Sequence, residues 1–412
     1  MRILILTPDI YTRGGIARYT SALASTLGDL IGAENVHVQP LLGTDEPCEG
    51  SYQCRVFNPV AEKVGIQSKI KFVCKALALA VKRYSLVIST HVGLAPVAAI
   101  IRHVFGTPFW VVCHGSESWQ KFPADVRWAL RNADWILPVS RFTADTVAKM
   151  NGLPSTKVRV LHNAIPDSFA RMLMDPCGSS EHGPRAADKV RTILSVGMVS
   201  RELSYKGFDT VIAALPRVLD RVPDARYVIA GGGDDVSRLK QFARETGVLD
   251  HVVFRGTLSD TGLAECYRTC DVFILPSRAK MSPPCKGEGF GRVYVEAALA
   301  GKPVVGSTAG GAAESVLHQR TGLLVDPESI SDVSRALIYI LENPEAAARM
   351  GREARRWASA NFTSRALRRP LEELLRDYGF LLSSEPPTSP ETMQFILTTE
   401  TDFDLSTGPG IS

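Results

Sequence analysis

Short apolar runs alternate with helical segments twice along this chain, and that rhythm restricts the fold more than any other feature of the sequence. Residues 2–7 read as an apolar strand and 16–30 as a helix; further strands are predicted at 36–41, 86–90, 109–113, 135–139 and 158–161, with helical stretches between them. Strands that are apolar without alternation, each followed by a helix, belong to parallel sheets covered on both faces. After Asn163-Ala-Ile-Pro166 the rhythm stops, and residues 174–184 are turn formers without periodicity. A second series starts at Val190, with strands at 191–196, 226–230, 251–254, 272–275 and 303–306. The expected organisation is therefore α/β: a doubly wound domain over 1–173, a linker over 174–189 and a second doubly wound domain over 190–362. A last helix follows over 363–382, interrupted by Pro370. A chain of 412 residues is also too long for one core, which makes two domains facing across a cleft the natural arrangement. Residues 383–412 hold five acidic and no basic residues among Pro, Ser and Thr, the composition of a disordered tail.

Composition narrows the function classes. The longest apolar runs are strand-sized, such as 3–6 and 228–230, so neither a transmembrane helix nor a signal peptide is expected and the protein is placed in the cytosol. Eight cysteines lie without a Cys-x2-Cys pair, and Cys266 and Cys270 share a helix face without ligand-type neighbours; free thiols are expected, and no metal. A net charge of +4 is too small for nucleic-acid binding. Residues 1–167 nevertheless hold 18 Lys+Arg against 12 Asp+Glu, a balance of +6 that leaves −2 for the rest, and a basic first half suits an acidic partner such as a membrane surface or a phosphorylated acceptor. Within it, a helix over 62–84 places Ile66, Ile70, Val73, Leu77 and Val81 on one face, expected to cover the sheet. Lys63, Lys69, Lys71, Lys75, Lys82 and Arg83 remain for anionic headgroups.

Candidate chemistry gathers where predicted strands end. Glu288 and Glu296 bracket the start of a helix expected over 293–300, entered through Gly289 and Gly291. Such a helix start offers free N–H groups and the positive end of a dipole to an anion. The two carboxylates either cap and solvate that helix or flank one polyhydroxylated ligand over its end. Arg201 and Lys206 lie on a loop between a strand and a helix, where Arg chelates phosphate oxygens and Lys adds a point charge. Gly14-Gly15, at the first strand-to-helix turn, admits phosphate to the backbone and is not the Gly-x-Gly-x-x-Gly of a dehydrogenase. Gly231-Gly232 and Thr257 follow later strands and are expected to shape the pocket through backbone contacts. His114, at the end of strand 109–113, is either a structural residue or a hydrogen-bond donor to substrate, and Glu117 either caps the next turn or touches substrate.

Glu-x7-Glu, the Gly301-Lys-Pro-Val turn, Gly310-Gly311, Arg-x4-Lys-Gly at 201–207, Gly14-Gly15 and His114 occur together, and in combination they resemble the retaining glycosyltransferases of family four. The resemblance spans residues 1–380 and implies the GT-B fold, two Rossmann-like domains with a final helix crossing back to the first. It further implies transfer of a hexose from a nucleotide diphosphate sugar to a hydroxyl acceptor, such as a glycolipid, polyprenyl-linked or saccharide acceptor of glycan biosynthesis, with no metal and no cofactor. In this family Glu296 would bind ribose hydroxyls and Glu288 sugar hydroxyls, the N–H groups of Phe290, Gly291 and Arg292 would cover sugar and phosphate, and His114 would stand beside the transferred sugar. The loop 277–287 is similar to that of mannosyltransferases of phosphatidylinositol mannoside synthesis, which makes mannose from its guanosine donor the expected sugar. The alternatives are a uridine-linked glucose donor, an epimerase on the same fold, or a non-catalytic sensor of nucleotide sugars.

Overall fold

The computed structural model describes residues 1–12, 14–43, 54–175 and 190–380; most of the expected linker and the tail from 383 lie outside the described residues. Residues 1–371 form one compact unit that holds two parallel six-stranded sheets. From Glu372 onward the described part is the end of the last helix, followed by a Tyr378–Phe380 ring pair with centroids 5.0 Å apart.

The first sheet consists of β1 (Ile3–Thr7), β2 (Val36–Pro40), β3 (Arg55–Val56), β4 (Leu86–Ser89), β5 (Phe109–Cys113) and β6 (Trp135–Pro138), in the order β3-β2-β1-β4-β5-β6. Its helices are α1 (Gly15–Ile31), α2 (Ile66–Ala80), α3 (Ala95–Phe105), α4 (Ala124–Asn132) and α5 (Arg141–Asn151). Every residue of β1, β2, β4 and β5 is buried, which is why β1, β4 and β5 read as nearly continuous apolar runs, while β2 buries His37 and Gln39 between its valines and proline. After α6 (Asp167–Met174) the second sheet is formed by β7 (Arg191–Val196), β8 (Ala225–Ala230), β9 (Val252–Gly256), β10 (Val272–Ile274), β11 (Val304–Ser307) and β12 (Gly322–Val325), ordered β12-β11-β10-β7-β8-β9. Helices α7 (Phe208–Leu219), α8 (Val236–Glu245), α9 (Asp260–Thr269), α10 (Arg292–Leu299), α11 (Ile330–Glu342), α12 (Pro344–Asn361) and α13 (Ser364–Asp377) complete the described chain.

In both sheets the strand order reverses once, between β1 and β4 and between β7 and β10. Loops leaving the carboxyl ends of neighbouring strands diverge at such a point and open a crevice. Gly14-Gly15 follows β1, the loop of Lys206 follows β7, and the loop of Glu288 follows β10, so the topology sets all three at the switch points of their sheets.

The chain passes between the domains at two places that lie side by side. Helix α6 packs on α9 and α10, and Arg355 Nη2 donates to the Met174 carbonyl at 2.9 Å. The return passes Phe362–Ser364, where Ile165 N–H donates to Phe362 O (2.8 Å) and Ser364 N–H to Ile165 O (3.0 Å). Helix α13 then begins against the first domain: Thr26 Oγ1 donates to Ser364 O at 3.2 Å, and Leu367 and Leu371 are buried. The helix runs through Pro370 instead of breaking there.

Several expectations are corrected. The strand at 158–161 is a single bridge from Val158 to Ile136, because the chain peels away after two further backbone bonds toward the crossing at Ile165. The short β3 and β12 carry too little pattern to read, and between β12 and the last helix stand two helices, α11 and α12, with Pro344 opening the second. Helix α2 is shorter than 62–84 and turned around its axis. Ser68, Phe72, Ala76, Leu79 and Ala80 are buried, whereas Ile66 (80% exposed), Ile70 (58%) and Val81 (65%) face outward. The Phe72 ring fills more of the space over the sheet than a branched aliphatic can, and Val73 and Leu77 are left at the margin, half-buried. Phe72→Ala should therefore lower unfolding free energy by about 3–5 kcal/mol, while Ile66→Ser with Ile70→Ser should change it by about 0.5 kcal/mol or less. Denaturant titration checks both, and the reverse ranking would restore the original facing.

Candidate functional site

A cavity of about 620 Å³, of the size that holds small-molecule ligands, opens between the two switch points. The first domain contributes Gly14, Gly15 and Arg18; the second contributes Lys206, Gly231, Gly232, Thr257, Glu288, Arg292 and Glu296. A smaller cavity of about 220 Å³, beside Arg191, Asp271 and Pro303, lies at the amino ends of the second sheet's strands, away from these groups.

Lys206 ends a 3-10 turn (Ser204–Lys206) and precedes Gly207, whose φ of 77° lets the chain double back into α7. Its Nζ donates to Glu288 Oε1 at 2.6 Å, and the side chains are only 13% and 16% exposed. This pair joins the loop after β7 to the loop after β10. Glu296, 1% exposed on α10, accepts from Tyr267 Oη at 2.8 Å through Oε2, while its Oε1 lies 3.3 Å from Arg292 Nη2 without a hydrogen bond. Arg292 Nη1 is likewise buried without a partner. Burial pulls the Arg292 pKa below its usual value against the opposing charge of Glu296, and burial with the Glu296 charge pushes the Tyr267 hydroxyl well up. An unmet acceptor and an unmet donor side by side on a cavity wall suit a ligand that offers hydroxyls and negative charge.

Two glycines set the geometry. A Cβ on Gly231 (φ 149°) would sit 1.8 Å from Gly197 O, and one on Gly289 would sit 1.8 Å from His114 O in the other domain. At Gly289 the main chains of the two domains touch with no room for a side chain.

The structure relocates several expected site residues. The His114 ring Nε2 lies 2.9 Å from Thr90 O. A carbonyl only accepts, so Nε2 carries the proton, and burial holds the ring's pKa below its usual value despite the nearby Glu117. The neutral ring thus keeps its lone pair on Nδ1, so toward a ligand that nitrogen is an acceptor and not the expected donor. Glu117 is a cap: its Oε1 accepts from His114 N–H (2.7 Å) and Gly115 N–H (2.9 Å). Arg201 stands outside the cavity: its side chain is 73% exposed, with Nε 3.9 Å from Asp235 Oδ1, and its backbone N–H donates to Asp234 Oδ1 at 3.2 Å. The Phe290 ring is buried against His162 (5.3 Å) and Phe362 (5.2 Å), next to the second crossing, so at most its backbone serves the cavity. Gly291 is the left-handed residue (φ 79°) from which α10 starts, and the Arg292 side chain, beyond its N–H, lines the wall. Sequence reasoning missed Arg18, whose guanidinium reaches Asp260 of α9 at 2.5 Å and covers the Phe169 ring; its position one turn beyond Gly14-Gly15 was the available signal. Among the described residues no group of three or more His, Cys, Asp or Glu forms a candidate metal site.

Two family models match the chain: "Glycosyltransferase Family 4" over residues 13–169 and "Glycosyl transferases group 1" over 183–357. A GDP-mannose-dependent alpha-(1-6)-phosphatidylinositol monomannoside mannosyltransferase of Mycolicibacterium smegmatis is 36% identical over 268 residues, 64% of this chain and 68% of that relative. The Mycobacterium tuberculosis protein of the same name is 34% identical over the same length and shares. The chain belongs to glycosyltransferase family 4. Among solved structures, the sucrose-phosphate synthase of Thermosynechococcus elongatus superposes with a TM-score of 0.73 at 21% identity, covering 92% of this glycosyltransferase and 99% of that chain. Anabaena HepE in complex with UDP gives 0.71 at 21% identity over 92% and 100%. The fold is thus GT-B: two Rossmann-like domains, as the sequence implied.

For this glycosyltransferase the Lys206–Glu288 pair yields a direct test. Lys206→Met and Glu288→Gln should each abolish transfer and, by leaving a largely buried charge unpaired, each cost about 2–3 kcal/mol of stability. The double variant should recover most of that stability and none of the activity. Full activity in either single variant, or additive destabilisation in a thermal-melt cycle, would overturn the pairing.

Proposed function

We propose that this glycosyltransferase is a retaining, metal-independent mannosyltransferase that uses GDP-mannose and a lipid-linked hydroxyl acceptor in glycan biosynthesis. The observation that carries the reading is the 2.6 Å Lys206–Glu288 pair beside the unmet polar atoms of Arg292 and Glu296, in a cavity at both switch points. What supports the donor is that relatives at 34–36% identity are named as GDP-mannose-dependent.

In this reaction the bond from sugar C1 to the diphosphate oxygen breaks while a bond from C1 to the acceptor oxygen forms on the same face. The acceptor's proton passes to the departing phosphate oxygen. Charge developing on the diphosphate is met by Lys206, by Arg201 swinging in from its exposed position, and by the N-terminal end of α10. Glu296 Oε1 accepts from ribose hydroxyls, Glu288 from sugar hydroxyls, and His114 Nδ1 accepts from a further sugar hydroxyl. Gly14-Gly15 closes the cavity from the first domain without side chains to obstruct the phosphates.

Thermal melts with GDP, UDP, GDP-mannose and UDP-glucose test the donor, since a ligand at one hundred times its dissociation constant stabilises by about 2.7 kcal/mol. Guanosine compounds should stabilise and uridine compounds should not; the converse would replace mannose by a uridine-linked sugar. Labelled GDP-mannose should then be consumed with acceptor present. Binding without any turnover would make the protein a sensor, and isomerised donor without acceptor an epimerase.

The outward face of α2 is where an acceptor-bearing membrane would be met. Ile66, Ile70 and Val81 are exposed among Lys69, Lys71, Lys82 and Arg83, whereas Lys75 is engaged with Asn58 O at 2.6 Å. No helix among the described residues is long and apolar enough to cross a membrane. Each Lys or Arg near an anionic surface contributes about 1 kcal/mol. Ile66→Ser/Ile70→Ser and Lys69→Glu/Lys71→Glu variants should each lose sedimentation with phosphatidylglycerol vesicles and retain donor turnover. Undiminished sedimentation in both would remove α2 as the contact.

A further inference from the structure

The 3-10 turn Gly310–Ser315 is attached to both domains at once. At its start, Gly311 N–H donates to the carbonyl of Glu288 at 3.0 Å. Near its end the Glu314 carboxylate reaches into the first domain: Oε2 accepts from Arg141 N–H and Oε1 from Phe142 N–H, both at 2.8 Å. Arg141 and Phe142 open α5, whose remaining early donor, Thr143 N–H, is met by its own N-cap Ser140 at 3.1 Å. Helix α5 is thus capped in trans, with a full negative charge at the positive end of its dipole and both carboxylate oxygens engaged.

The same seam holds Trp119, completely buried, just after the short turn that begins beside His114. Its carbonyl accepts from Cys285 Sγ at 2.9 Å, its Nε1 donates to Thr143 Oγ1 at 3.2 Å, and its ring packs on Phe142 at 5.0 Å. A Cβ on Gly287 would come within 2.8 Å of that ring. A continuous path of packed and bonded groups therefore runs from His114 through Trp119 to α5, across Glu314, and back through Gly311 to Glu288.

We propose that Glu314 is a positioning residue, a latch that holds α5 of the first domain onto the second and thereby fixes His114 against the Glu288 loop for transfer. The role rests on the transferase reading, but the closure itself does not. Lys206, Arg292 and Glu296, the side chains proposed to hold the nucleotide diphosphate, lie in the second domain, whereas His114, proposed to meet the sugar, lies in the first, so loss of the latch should spare GDP binding and impair the step that needs both domains.

The test uses full-length protein with Glu314→Gln, Glu314→Asp and Arg141→Pro. Proline suits the first residue of a helix, and Ser140 before it is already extended (φ −153°, ψ 160°), so Arg141→Pro deletes one latch donor without breaking α5. Glu314→Gln should lower kcat by about 100-fold, the cost of a misplacement near 1 Å, with unchanged affinity for GDP. Glu314→Asp should recover part of that loss. Arg141→Pro should show a smaller loss that does not add to that of Glu314→Gln, while Arg141→Ala, which keeps the N–H, behaves as native. Small-angle scattering with GDP should give a larger radius of gyration for Glu314→Gln than for native protein. A native kcat in Glu314→Gln, a loss confined to GDP affinity, additive kcat losses or an unchanged radius would each overturn the latch. If the native protein turns over no sugar nucleotide, the transferase reading fails, and the scattering comparison still decides the latch.

Discussion

The site depends on a contact in which no side chain takes part. At Gly289 the loop that carries Glu288 lies against the backbone of His114 in the opposite domain, so close that a single added carbon would overlap the carbonyl oxygen at 1.8 Å. Overpacking of that order is not absorbed by rotamer changes, because both partners are main chain. The first domain therefore meets the second at one fixed depth. The cavity's two walls, the glycine turn after β1 and the charged loops after β7 and β10, take their separation from it.

Electrostatics within that cavity is arranged ahead of any ligand. Lys206 and Glu288 neutralise each other across two loops, which spares both the penalty of a lone charge in a partly dry place. In the proposed reaction an incoming diphosphate competes for the lysine and releases a carboxylate oxygen to the sugar beside it. Arg292 and Glu296 differ, since each keeps one buried polar atom without a partner. On the proposed function the wall is satisfied where the phosphate's own charge would compete and unsatisfied where hydroxyls would bind.

Much of this was legible in the sequence, and what was not has identifiable causes. β1 and β5 are buried on both faces, so their apolar runs had no competing interpretation, and the placement of Gly14-Gly15, Lys206 and Glu288 at strand ends followed from strand order alone. Helix α2 was misjudged because its sequence offers more apolar positions than one face can bury, and only the packing of Phe72 chooses among them. The proton on His114 is set by the carbonyl of Thr90, 24 residues away, and no local pattern carries that information. Glu314 was invisible as a cap because the helix it caps begins 173 residues earlier, in the other domain. Arg201 lies on the expected loop after a strand, but the direction of its side chain is not written in that loop: it points to solvent, 73% exposed, with Nε 3.9 Å from Asp235.

The paired crossings at Ile165 and Phe362–Ser364 bear on how such a molecule moves. Two covalent strands running side by side and hydrogen-bonded to each other, at 2.8 and 3.0 Å, behave as a strap and not as a tether. A single-stranded connector leaves its two halves free to swivel, whereas a bonded pair bends easily in one direction and resists torsion, because torsion would break the rungs between the strands. Any opening and closing of the two domains would thereby be confined to bending about this strap. Each return brings the same pairs of groups face to face, so a latch formed far from the strap can be closed by bending alone.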